Sequence, residues 1–126
     1  MLRIVCFHSQ VQYATIDKIH EFAFGNSTSI DEISLTRNSI ITLEVHAFSY
    51  LPVLETLTLG ENQITDINRK VFSHLPKLRE LRLNNNNISS IQDRAFQELH
   101  HLIELHLHSN QINVSINKRF QFLRNI

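Results

Sequence analysis

The sequence predicts an α/β solenoid: a right-handed superhelix of stacked coils with a parallel β-sheet on its concave face and irregular or short helical returns on its convex face. The first observation behind this is a repeat of 24 residues, because Leu54 follows Ile30 at that step and Leu78 and Leu102 continue it. The second is composition. With 42% hydrophobic residues and only two glycines and two prolines in 126 residues, the chain fits one packed domain and not a collagen-like or low-complexity one.

Each repeat has the pattern L-x-x-L-x-L-x-x-N-x-I-x-x-I, followed by four residues and F-x-x-L. The pattern runs without insertion from Ile30 to Leu123, and Ser115 interrupts one column. It predicts a degenerate N-terminal coil at 1–29 and repeats at 30–53, 54–77, 78–101 and 102–125, with Ile126 opening a further one.

The spacing within one repeat predicts its local structure. Leu57 and Leu59 lie two apart, which places both on one face of a strand. Phe72 and Leu75 lie three apart, which suits a helical turn. One such coil cannot bury its apolar face alone, so we expect neighbouring coils to stack and their strands to form a parallel sheet.

Two further columns have structural interpretations. The column of Asn38, Asn62, Asn86 and Asn110 is expected to satisfy backbone groups where the chain bends after each strand, since a carboxamide both donates and accepts hydrogen bonds. The column of Phe48, Phe72, Phe96 and Phe120 predicts a stacked aromatic spine on the return side.

This pattern resembles the leucine-rich repeat family, and within it the 24-residue type of animal extracellular receptors and matrix proteins such as Toll-like and Slit-like molecules. The resemblance implies a module for protein–protein recognition that binds a protein ligand on the concave sheet, in a secreted or cell-surface receptor or adhesion protein. It implies no cofactor. Motifs for nucleophilic, phosphate-binding or metalloprotease chemistry are absent, so we expect no enzyme activity.

The N-terminal region leaves the compartment open. Residues 1–29 contain neither a signal peptide nor a cysteine-rich cap, which makes an intracellular scaffold the alternative. The single cysteine, Cys6, falls in an apolar column and is expected to pack in the core; a remnant of a cap or a reactive thiol are the alternatives. Because both ends lack caps, we expect a fragment of a longer solenoid or self-association through the ends.

Charge excludes several classes of partner. Twelve basic and twelve acidic residues give a net charge of zero, so the sequence predicts no basic surface for nucleic acid and no polybasic patch for a membrane. Three N-x-S/T sequons begin at Asn26, Asn87 and Asn113, each at a coil position expected to point outward. These are the candidate glycosylation sites.

Strand alternation sends the third, fifth and seventh residues of each repeat to the exposed concave surface. The surface is polar, of mixed charge and without aromatic anchors, which favours a polar protein ligand over a lipid. A merely solvated face is the alternative. The predicted protein-binding residues are Glu32, Thr58, Glu80, Arg82, Asn84, Glu104, His106 and His108.

The fourth repeat also carries a candidate metal site. Glu104, His106 and His108 alternate on one strand and offer two imidazoles and a carboxylate, a ligand set that suits zinc. Arg82 is expected beside His106, where its charge opposes a cation. A pH-responsive patch and ordinary surface histidines, with His100 and His101 nearby, remain alternatives.

Overall fold

The computed structural model describes residues 8–25 and 27–112, and these residues form stacked coils of short strands and turns. Eleven strands follow one another along the described chain. They are β1 (His8–Gln10), β2 (Lys18–Ile19), β3 (Glu32–Ser34), β4 (Thr42–Leu43), β5 (Phe48–Ser49), β6 (Thr56–Thr58), β7 (Asp66–Ile67), β8 (Phe72–Ser73), β9 (Glu80–Arg82), β10 (Ser90–Ile91) and β11 (Glu104–His106).

The main sheet has five parallel strands in the order β1-β3-β6-β9-β11. Its register repeats the period of the sequence, since Ile33 pairs with Leu57 and Leu57 pairs with Leu81, each 24 residues on. Within β6 the central Leu57 is buried, whereas Thr56 and Thr58 on either side are partly exposed. The predicted solenoid is therefore confirmed. The limits of the individual repeats remain a prediction, because a repeating register defines the period and not where a unit starts.

The returns are extended segments and turns, and no helix occurs among the described residues. Three two-stranded parallel sheets join neighbouring coils: β2 with β4, β5 with β8, and β7 with β10. Phe72 lies in β8, so the helical turn expected from its spacing to Leu75 does not form. The reason is that the backbone finds partners in the next coil: the amide of Phe48 donates to the carbonyl of Val71 at 3.1 Å.

The core lies between the main sheet and the returns, and the predicted apolar columns fill it. The aromatic spine is confirmed over the described coils: Phe24, Phe48, Phe72 and Phe96 stack at centroid separations of 5.6, 5.9 and 6.0 Å. Phe48 and Phe72 are fully buried within it. Stability is consequently shared between neighbouring coils, as expected for a repeat protein.

The asparagine column also has its predicted role. Asn62 donates to the carbonyls of Leu59 and Leu35, both at 3.0 Å, and thus ties its own coil to the preceding one. Asn86 and Asn110 repeat the arrangement one and two coils later. The side-chain oxygen of Asn38 is buried without a partner among the described residues, next to the coil in which Ala14 stands where the repeat has asparagine.

A left-handed backbone position follows each main strand. Tyr13, Arg37, Glu61, Asn85 and Ser109 recur at 24-residue steps with φ between 55° and 60°. Residues other than glycine adopt this conformation at a cost. It is maintained by bonds between coils, such as those from the Glu61 amide to Asn84 O and from the Asn85 amide to His108 O, both 3.0 Å. The sequence carries no glycine signal for this turn.

The predictions made for Cys6, Asn26, Asn113, Phe120 and Ile126 lie outside the described residues.

Candidate functional site

The exposed face of the main sheet carries the residues predicted to bind a protein ligand. Arg82 and His108 are exposed, and the other six are partly exposed: Glu32, Thr58, Glu80, Asn84, Glu104 and His106. No Phe, Tyr or Trp side chain lies on this face between β3 and β11. The strands thus present a polar surface, and we call it the sheet face.

A cluster of four charged or titratable side chains forms where β9 meets β11. Glu80 lies directly opposite Glu104, and Arg82 lies directly opposite His106, as the spacing predicts. Arg82 Nε donates to Glu80 Oε1. His106 Nε2 lies 3.1 Å from Glu104 Oε2 and 3.8 Å from Glu80 Oε1. Like charges directly opposite on neighbouring strands repel, so Arg82 and His106 are placed where they offset that repulsion.

The candidate metal ligands differ from those expected. Glu80, Glu104 and His106 bring their ligand atoms within 4.8 Å of one another, and His108 does not belong to this group. The rings of His106 and His108 stand edge to face with their centroids 6.2 Å apart. Glu80 joins the group because it lies directly opposite Glu104, on a neighbouring strand about 4.8 Å away. The recurrence of Glu at the 24-residue step could have indicated Glu80 as a ligand.

Next to this cluster, the sheet face continues as a network of polar contacts. The hydroxyl of Thr36 donates to that of Thr58 at 3.3 Å. At the rim, Arg37 Nε lies 3.0 Å from Glu61 Oε2. That carboxylate raises the pKa of Arg37 through its hydrogen bond and charge. The cations and anions of this region are therefore largely paired with each other.

Aromatic side chains are exposed on the return side instead. Tyr50 is 43% exposed, and its ring stacks on His74 at a centroid distance of 4.2 Å and an angle of 10°. Phe22 stacks on His46 at 5.6 Å. The sequence reasoning did not predict this cluster, although Tyr50 and His74 occupy the same position of successive repeats and could have indicated it.

The sequon at Asn87 has the expected exposure. Asn87 is exposed just after the buried Asn86, and its backbone amide is held by the carbonyl of Ile64 at 2.9 Å. The exposed side chain of Asn87 does not belong to the asparagine column, whose member in this coil is Asn86. The sequons at Asn26 and Asn113 cannot be placed, since both asparagines lie outside the described residues.

Comparison with known proteins identifies the family. A family model described as leucine rich repeat matches residues 11–62, 28–88 and 76–126. The chain belongs to the leucine-rich repeat family. This confirms the predicted family, whereas the 24-residue type stays a prediction. Leucine-rich repeats indicate a protein-interaction module built on an extended solenoid surface.

No curated protein matches the leucine-rich repeat chain. Among solved structures it is similar to the crystal structure of human 5T4 (Wnt-activated inhibitory factor 1, trophoblast glycoprotein). The two share 17% identity over 95% of this chain and 67% of that one, with a TM-score of 0.44. Within the described part of the chain, no helix has the length and apolar character needed to cross a membrane.

Proposed function

We propose that the sheet face binds a protein ligand and that the chain belongs to a secreted or cell-surface receptor or adhesion protein. The observation that carries the first part is the exposed row of polar and charged side chains on β3, β6, β9 and β11, which pair in constant register. Solenoid repeats use such extended surfaces for binding, and members of this family are typically binding modules rather than enzymes.

The charge of the sheet face favours a ligand with basic side chains. Glu32, Glu80 and Glu104 occupy one column of the repeat and point to the same side of the sheet. Arg82 engages Glu80, whereas the Glu104 side chain is 45% exposed. A cation of the ligand would therefore meet Glu104 most easily. Charge complementarity of this kind contributes to specificity and association rate.

The size of the sheet face sets an expectation for affinity. Five strands at a spacing of about 4.8 Å give a row about 20 Å long. A surface of this length is at the lower end for a stable interface, so we expect the ligand also to contact residues beyond the five strands.

A photo-crosslinking amino acid at Thr58 tests the binding surface. The matched control places the same amino acid at Gln97, an exposed polar position on the return side. We expect Thr58 to give a covalent adduct with a protein from cells that express the chain, and Gln97 to give none. The captured protein, once purified, should bind Glu104→Lys more weakly than wild type and bind Gln97→Lys equally well. Capture only from Gln97, or no effect of Glu104→Lys, would contradict the proposal.

The proposal that the chain is extracellular rests on a different observation, the exposed sequon at Asn87. An intracellular scaffold with the same fold is the alternative. Mass spectrometry of the protein isolated from eukaryotic cells tests this directly. We expect a glycan on Asn87 that is removed by a glycosidase and is absent in Ser89→Ala, a change that leaves Asn87 in place. Unmodified peptides at Asn26, Asn87 and Asn113 would favour the scaffold.

A further inference from the structure

We propose that Glu80, Glu104 and His106 form a zinc-binding site on the sheet face. Within residues 8–25 and 27–112 they are the one set of three histidine, cysteine or acidic side chains whose ligand atoms all approach within 4.8 Å. The inference is independent of the proposed protein ligand, because the three ligands come from this chain alone.

The existing distances are close to those that zinc requires. Zinc bonds of 2.0 to 2.2 Å in a tetrahedron place neighbouring ligand atoms about 3.4 Å apart. His106 Nε2 lies 3.1 Å from Glu104 Oε2 and 3.8 Å from Glu80 Oε1. A small rotation of the Glu104 carboxylate, and a rotation of the Glu80 carboxylate that separates Oε1 from Arg82, would therefore bring the three atoms around one ion without movement of the strands.

Two of the three proposed ligands are mostly buried, and the third is accessible to an ion from solvent. The side chains of Glu80 and His106 are 25% and 26% exposed, so neighbours restrict their rotamers, whereas Glu104 is 45% exposed and opens to solvent. The strand pairing fixes the backbone beneath all three residues. Three protein ligands leave a fourth tetrahedral position that water can fill.

The chemistry of the set selects among cations. One imidazole nitrogen and two carboxylates suit a borderline metal such as zinc, whereas magnesium and calcium favour six or more oxygen ligands. Zinc binds the lone pair of His106 Nε2 in the neutral ring, which then carries its one proton on Nδ1; an imidazolium would first release its Nε2 proton to solvent. The ion also offsets the repulsion between the opposed carboxylates of Glu80 and Glu104.

Isothermal titration of the purified full chain with zinc chloride tests the site, with no other protein present. We expect one ion per chain, and affinity at least about tenfold lower in His106→Ala and in Glu104→Gln. Two matched controls should keep wild-type affinity. Glu32→Gln removes a carboxylate from the same column, and a variant with both His100→Ala and His101→Ala removes two histidines of the preceding return. Circular dichroism confirms that each variant is folded.

No heat up to millimolar zinc would overturn the proposal, as would wild-type affinity in His106→Ala, since the ion would then be bound by other histidines. A second readout does not depend on heat. In nitrogen-edited NMR spectra of the imidazole rings, zinc should shift the Nε2 resonance of His106 and leave that of His74 unchanged. Loss of the protein ligand's binding in the crosslinking experiment has no bearing on this result, so the two proposals fail separately.

Discussion

The side-chain oxygen of Asn62 lies 3.1 Å from the backbone nitrogen of Ile40, 22 residues earlier in the chain, and accepts its hydrogen bond. The same oxygen accepts from the amide of Asn38 at 3.2 Å, and the amide group of Asn62 donates to three carbonyls. One buried side chain thus satisfies five backbone groups at the bend between two coils.

Asn62→Ala should therefore be strongly destabilising. It leaves the amides of Asn38 and Ile40 without their acceptor in a buried turn, whereas each of the three carbonyls keeps a second donor. We expect a loss of at least about 2 kcal/mol in the free energy of unfolding. Urea denaturation followed by circular dichroism measures it. The exposed Asn87→Ala is the control, with an expected effect within about 0.5 kcal/mol. Equal losses of unfolding free energy in the two variants would show that the hydrogen bonds of the asparagine column do not add to the stability.

The aromatic spine should be as sensitive to truncation. Phe72 is buried between Phe48 and Phe96, with ring centroids 5.9 and 6.0 Å away. We expect Phe72→Ala to lower the free energy of unfolding by about 3 to 5 kcal/mol, because it removes buried area and opens a cavity. Ile41→Ala, at a side chain 45% exposed, should change it by less than about 1 kcal/mol. A small effect at Phe72 would mean that the coils collapse around the lost ring.

Gly60 is coupled to Asn84 on the sheet face. A Cβ at Gly60 would lie 2.9 Å from Asn84 Oδ1, too close for an undisturbed side chain. We expect Gly60→Ala alone to lower the free energy of unfolding by up to about 1 kcal/mol, since the end of the Asn84 side chain can move. In an Asn84→Ala background the same change should be neutral or stabilising, because alanine restricts the unfolded chain. A double-mutant cycle by denaturation measures the coupling, and strictly additive effects would refute it.

Glu44 should make stability depend on acid pH. Its pKa is lowered from its ordinary value of 4.5, chiefly by the hydrogen bond from Lys18 at 2.7 Å and next by that from the backbone amide of Glu21. Because the folded pKa is below the unfolded one, the stabilisation is present above pH 4.5 and is lost as pH falls through the folded pKa.

Glu44→Gln tests this dependence. The amide oxygen can still accept from the Glu21 amide, as Gln92 does from the amide of Arg69 at 2.8 Å, but the charge is gone. We expect the variant to be less stable than wild type at neutral pH and the difference to vanish in acid. Urea unfolding across this pH range measures it, with the exposed Glu98→Gln as control. A constant difference at all pH values would contradict the assignment.

Arg82 should oppose zinc at the proposed site. It donates to Glu80 Oε1 and places a positive charge opposite His106. We expect Arg82→Gln to bind zinc more tightly than wild type, because the change frees a carboxylate oxygen and removes the repulsion. Arg82→Lys retains the charge and should bind more weakly than Arg82→Gln. Weaker zinc binding by Arg82→Gln would indicate that Arg82 instead orients Glu80 for the ion.

The sequence was sufficient for the features that repeat. Leu57, Asn62 and Phe72 each recur at 24-residue steps, and stacking in register converts such a column directly into a row of neighbours in space. The inward columns, the asparagine ladder and the neighbours across the sheet could all be predicted, because each depends on the period and on strand alternation alone.

The tertiary structure decided what depends on distances between coils. The returns are extended because the amide of Phe48 finds its partner in the next coil, which no pattern within one repeat reveals. His106 approaches Glu80 because Glu80 lies directly opposite Glu104 on the neighbouring strand, and His106 contacts Glu104 through its side-chain rotamer. Tyr50 and His74, at the same position of neighbouring coils, form an exposed stack on the side opposite the predicted binding surface. Sequence periodicity identifies which residues share a column, whereas the side-chain rotamers and the separation of the coils determine which of them touch.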